Sequence, residues 1–171
     1  MPKIIENLRD KLLLEARCQV ENAGYSAMTI RSVASGCGVG VGTVYNYFSS
    51  KEELIAGFML EDWKRCIDAI DTVAKGAKDG EEVLRCIYDQ LCSFMEQHRN
   101  LFQDAGAAAS FAGSAGKYHG LLRTQLAKPV EAFCADAFEA EFIAEALLTW
   151  TVSGKNFEEI YQIVRKIMEA A

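Results

Sequence analysis

Ile5, Leu8, Leu12, Ala16 and Val20 recur at steps of three and four residues, with charged residues between them. That spacing lays one apolar stripe along a helix; a strand would need alternation at every second residue. The same period returns in Leu54, Phe58, Met59, Trp63 and Ile67, and again in Val83, Ile87, Leu91, Phe94 and Met95. Two further stretches, residues 139–152 and 157–170, carry wide apolar faces. Only two prolines stand in 171 residues, so little interrupts these segments. The pattern predicts an all-α chain, and its apolar content of 50% excludes a disordered one.

The first helix, over residues 3–23, is expected to stop at Gly24-Tyr25, since Gly is the usual residue just past a helix end. Thr29 has the chemistry of an N-cap for a short helix through Ser35. Gly36-Cys37-Gly38 supplies a tight corner. A second short helix follows, from residue 39 or 40 to Tyr47. Ser50 with Glu53 three residues on is a capping box, and it opens a long helix over residues 51–73. Residues 75–80 read as a loop, 81–98 as an amphipathic helix and 100–112 as a short one. Gly113-Ser114-Ala115-Gly116 reads as a flexible joint. The helix after it is expected to kink or break at Pro129. Residues 1–50 therefore form a small head and residues 51–171 a helical body.

Two short helices joined by a glycine-containing turn make a helix-turn-helix, whose second helix enters the DNA major groove. Val39, Val44 and Phe48 would anchor that second helix to a core. Val41, Gly42, Thr43, Tyr45, Asn46 and Tyr47 are left to face outward. Threonine and tyrosine hydroxyls donate to phosphate oxygens, and Gly42 lets a backbone approach closely. Lys51 stands in the first turn of a helix, where the dipole disfavours a cation. A docked phosphate, held by amides and ammonium together, explains it better. Charge agrees in sign: residues 1–51 carry +2 and the remainder −8, within a net −6.

Residues 24–54 resemble the DNA-binding domain of the tetracycline-repressor (TetR) family. The resemblance lies in Gly-Thr-Val-Tyr-Asn-Tyr-Phe-Ser-Ser-Lys-Glu-Glu-Leu over residues 42–54, preceded by Thr-Ile-Arg-Ser-Val-Ala over 29–34. It covers residues 8–58, about the first third of the chain. It implies a three-helix helix-turn-helix head on a helical, ligand-binding body. It also implies a homodimer joined through a four-helix bundle, and a transcriptional regulator, usually a repressor. Carried onto this sequence, the DNA contacts fall on Thr29, Arg31, Gly40, Thr43, Tyr45, Tyr47 and Lys51, with Val41 and Asn46 beside them. Two positions depart from the family pattern. Gly40 stands where Ser or Thr is common, and Gly caps a helix almost as well. Val41 stands where Lys or Arg is common, which removes a phosphate or guanine contact and leaves a methyl surface suited to thymine.

In the body, Trp63, Phe94, His98, Phe102, Phe111, Tyr118, His119 and Phe133 are the candidates for lining an effector pocket of apolar walls and few polar groups. Leu147, Trp150, Thr151, Ile160, Ile163, Val164 and Ile167 are the candidates for a dimer interface, since two helices from each of two chains close a four-helix bundle. The six cysteines form no C-x-x-C pair and none pairs with His at zinc spacing, so no metal and no cofactor are expected. No signal peptide and no run of about 20 apolar residues is visible, which predicts a cytoplasmic protein away from membranes.

The expected partners are a pseudo-palindromic double-stranded DNA operator, a small apolar or amphipathic effector that releases it, and a second copy of the chain. Two other readings stay open. One is a DNA-binding regulator that senses redox state or a protein partner. The other is a helical enzyme or binding protein with no DNA role. No Ser/His/Asp or Cys/His set at a catalytic spacing supports an enzyme.

Overall fold

The computed structural model describes residues 7–169, apart from the side chains at 114, 115 and 117. The expected places of Lys3 and Ile5 in the first helix, and of Ala170 in the last, lie outside the described residues. Among the described residues ten α-helices follow one another: α1 (Leu8–Ala23), α2 (Ile30–Gly36), α3 (Val41–Tyr45), α4 (Lys51–Ala74), α5 (Gly80–Gln97), α6 (Arg99–Phe102), α7 (Ala105–Phe111), α8 (Ala115–Ala127), α9 (Ala137–Val152) and α10 (Phe157–Met168). Short 3-10 turns occupy Ala112–Ser114 and Lys128–Phe133. There is no strand among the described residues.

The chain divides into two compact units. The first is Met1–Asp62 with His98–Gly113; the second is Trp63–Gln97 with Ser114–Ala171. Sequence placed a boundary after residue 50. The division instead falls inside α4, after Asp62, and the segment carrying α6 and α7 belongs with the head. The reason is apolar: Leu101 and Ala107 are buried in the same cluster as Leu12, Leu13, Val33, Val44, Ile55 and Phe58. That cluster gathers one stripe from each of α1, α2, α3 and α4, as the three- and four-residue spacing requires.

Local chemistry sets the ends of these helices. Gly24 closes α1 at φ 83 and Gly38 turns the corner after α2 at φ 66, both in the left-handed region. Thr29 caps α2: its hydroxyl accepts from Ser32 N–H, and Ser32 Oγ accepts from Thr29 N–H. Ser50 Oγ accepts from Glu53 N–H, as expected of a capping box. The returning arm differs, because Glu53 Oε2 accepts from the backbone and hydroxyl of Ser49, both at 2.6 Å.

Two expectations are corrected and a third holds. Residues 100–112 form two helices, because Asp104 stops the first and caps the second through Ala107 N–H. The segment 113–116 continues as a 3-10 turn and then α8. The expected break at Pro129 is present: α8 ends at Ala127, and Pro129 lies near the start of the 3-10 turn that follows, where its missing N–H costs nothing.

The second unit packs Ile70, Val83, Ile87, Leu91, Leu126, Val130, Ile143, Leu147, Ile160 and Val164 into one core. Asp136 caps α9 and Asn156 caps α10 with a reciprocal Glu159 contact. No helix among the described residues is long and apolar enough to cross a membrane.

Candidate nucleic-acid interface

The helix-turn-helix holds α3 by its apolar residues. Val44 and Phe48 are buried in the head core, with Val39 packed against it. This leaves the opposite side bare. Tyr45 and Tyr47 are 53% and 45% exposed, which is unusual for tyrosines with a packing role. Asn46, Gly40, Gly42, Thr29 and Arg31 are exposed as well, and Thr43 is half-buried. Val41 is corrected: it leans on the head core and is half-buried, so only part of its methyl surface faces out. Its place explains the loss, since it opens α3 one turn before Val44 and lies on the side of the helix that turns toward the core.

Lys51 differs from the simple phosphate ligand that sequence suggested. Its ammonium donates to the Tyr25 carbonyl and sits 3.8 Å from the centre of the Tyr25 ring. Burial pulls its pKa down, with Glu52 and Asp104 acting against that change. Tyr25 itself is buried. In the sequence it reads only as part of the helix stop Gly24-Tyr25. Its signal was present in its type, because a buried tyrosine must find a partner for its hydroxyl.

Of the remaining head cations, Arg9 pairs with Glu61 at 2.8 Å and Arg17 with Asp62 at 2.8 Å. Arg17 also lies over the Phe58 ring at 5.5 Å. Asp62 Oδ2 meets His98 Nε2 at 3.1 Å. Burial lowers the His98 pKa to about 4, and the charge of Arg17 adds to the effect. The imidazole is thus neutral at pH 7, and Arg17 is the cation that balances Asp62.

The proposed pocket residues are divided between the two units. His98, Phe102 and Phe111 belong to the first. His98 is buried and stacks on Phe58 at 5.9 Å, Phe111 packs on the head core, and Phe102 is exposed. In the second unit, Trp63 packs edge-on against Phe94 at 5.6 Å and donates to Gln125 Oε1 at 2.7 Å. Phe133 packs on the core, whereas Tyr118 and His119 lie at the surface, His119 against Glu145 at 2.9 Å. Among the described residues no cluster of three His, Cys, Asp or Glu could hold a metal ion.

The proposed interface residues separate by depth. Leu147, Thr151, Ile160 and Val164 are buried within the second unit, because the inward faces of α9 and α10 close its own core. Trp150 and Ile163 are 50% and 59% exposed. Phe142, Trp150, Ile163 and Ile167 line a groove of about 470 Å³ between these helices, with Ile160 and Val164 also contributing and Lys155 and Glu159 as its charged residues. Phe138, 75% exposed, and Phe142 were not foreseen. The signal was that α9 is apolar almost all round, so burying one face leaves another.

The described residues are helical throughout and carry a helix-turn-helix whose outward side is open, a motif found in DNA-binding folds. Residues 12–57 match the family described as bacterial regulatory proteins, tetR family. Over 76 residues it is 36% identical to the HTH-type transcriptional repressor KstR2 of Mycobacterium tuberculosis, covering 41% of this chain and 37% of that protein. Over 113 residues it is 31% identical to the HTH-type transcriptional repressor KstR of Rhodococcus jostii, covering 59% of this chain and 51% of that one. The matched region thus spans about half the length of these relatives or less. The fold is similar to that of a TetR-family transcriptional regulator from Streptomyces coelicolor, with TM-score 0.60, 16% identity and 95% coverage of each chain.

Proposed function

We propose that this chain is a dimeric DNA-binding transcriptional regulator, a repressor released from its operator by a small apolar or amphipathic ligand. The observation that carries the reading is the exposed side of α3, with Tyr45, Asn46 and Tyr47 outward beside Thr43. In this reading Thr29, the cap of α2, and Arg31 in its first turn, with Gly40, Val41 and the four residues of α3 and its end, meet the duplex, and Lys51 meets a phosphate. Hydroxyls and an amide dominate the set, so it holds the DNA backbone more than it reads bases. The partly open methyl surface of Val41 favours thymine.

The repressor sense follows the two relatives, both named as repressors. Dimerisation in this reading uses the exposed side of α9 and α10, with Phe138, Phe142, Trp150 and Ile163 meeting their symmetry mates. The effector would be taken by the helical body, where α4 carries a change toward Lys51, and only a ligand that prefers one dimer geometry shifts binding. The redox alternative is weakened by the thiols. Burial raises the pKa of Cys37, Cys66 and Cys86, and burial with Glu139, Asp136 and Glu131 pushes Cys134 up to about 11. A thiolate is the reactive form, and these settings suppress it.

Selection from a random duplex library tests the reading. The expected product is a pseudo-palindrome with half-sites about one helical turn, 34–36 Å, apart. Failure to enrich any duplex would remove the proposal.

A further inference from the structure

Lys51 is a proposed DNA contact whose charged group is already held by the protein. One ammonium donor goes to the Tyr25 carbonyl and the group lies over the Tyr25 ring, leaving two donors for a phosphate. A lysine stem loses rotamer freedom when it is fixed, so a lysine already held loses less on binding. What fixes Tyr25 therefore matters for Lys51. The Tyr25 oxygen has two partners, Glu52 Oε1 at 3.0 Å and Ser110 Oγ at 2.8 Å. A carboxylate only accepts, so the single Tyr25 proton goes to Glu52. Ser110 must then donate to the Tyr25 oxygen.

Ser110 lies in α7, 85 residues away in sequence, and α7 packs beside the ring, with the position of a Cβ on Gly106 only 3.5 Å from Tyr25 Cε1. Asp104, which caps α7, and Glu52 are the acids whose charge reaches both Lys51 and Tyr25.

We propose that Tyr25 is the positioning residue for Lys51, and that Ser110 controls DNA affinity without touching DNA, by holding the Tyr25 hydroxyl. The inference rests on Lys51 meeting a phosphate, as proposed above. It makes α7 part of the DNA-binding apparatus of the head.

A double-mutant cycle tests it, with affinity measured on a duplex enriched from the random library across a range of salt. Lys51→Gln is expected to weaken binding and to reduce the salt slope by about 1 for each bound protomer. Ser110→Ala and Tyr25→Phe are each expected to weaken binding by roughly threefold, the scale of one hydrogen bond. In the Lys51→Gln background both are expected to have no further effect. A general loosening of the head would lower affinity equally in both backgrounds, and that additive result overturns the positioning role while leaving the regulator reading intact. If Lys51→Gln changes neither affinity nor slope, the Lys51 contact and the inference fall together. Ser110 is exposed, and alanine favours a helix, so Ser110→Ala should keep its helical spectrum and melting temperature. If Tyr25→Phe proves unstable, Ser110→Ala alone decides.

Discussion

Arg17 donates to Asp62 at 2.8 Å across 45 residues of sequence, and the Asp62 side chain is 2% exposed. An ion pair this deep joins α1 to α4 inside the head. It contributes little as a pair, because two charges must leave water, but removal of one partner strands the other. Asp62→Ala should therefore destabilise the chain by about 3–5 kcal/mol. Urea denaturation followed by circular dichroism would measure it. A change below about 1 kcal/mol would show that water already reaches this pair.

His98 makes the head sensitive to acid. Its folded pKa, about 4, lies below the ordinary value of 6.5. Between these values the unfolded chain binds a proton that the folded chain refuses, so stability is complete above pH 6.5 and declines as pH falls toward 4. The slope from this group is at most about 1.4 kcal/mol per pH unit. His98→Gln, which does not titrate, should flatten the stability profile between pH 6.5 and 4 relative to the parent. Parallel profiles for the two chains would contradict it.

Thr29 separates stability from binding. Its hydroxyl caps α2, so Thr29→Ala should cost about 1 kcal/mol. Thr29→Asp caps equally well and should keep the melting temperature. Its added negative charge should nevertheless weaken duplex binding strongly if Thr29 faces a phosphate. Unchanged affinity in Thr29→Asp would remove Thr29 from the interface.

Trp150 and Ile163 report on assembly. Both are exposed on the groove face of the second unit. Trp150→Glu with Ile163→Glu should halve the mass seen by sedimentation at micromolar concentration, with helicity retained. A chain that remains dimeric would place its interface elsewhere.

Much of the head was legible because its determinants are local. Thr29 and Ser32 cap α2 by adjacency, Gly38 turns by its own conformation, and Val44 and Phe48 follow helical spacing. What escaped reading depends on distance in sequence. Nothing near Ser110 announces Tyr25, and nothing near His98 announces Asp62. For the same reason the segment with α6 and α7 was assigned to the body, and His98, Phe102 and Phe111 were grouped with Trp63 and Phe94. Apolar spacing marks α9 and α10, but period alone does not tell which side their own core takes, so it does not show that Leu147 is buried and Phe142 exposed.

In the function proposed above, the chain binds duplex DNA through the exposed side of α3 and the cations Arg31 and Lys51. The most direct test is affinity for a duplex measured against salt concentration. Two such cations from each of two protomers predict a linear fall of log K with log salt, with slope about −3 to −4. Absence of binding to any duplex at low salt, or affinity indifferent to salt, would contradict it.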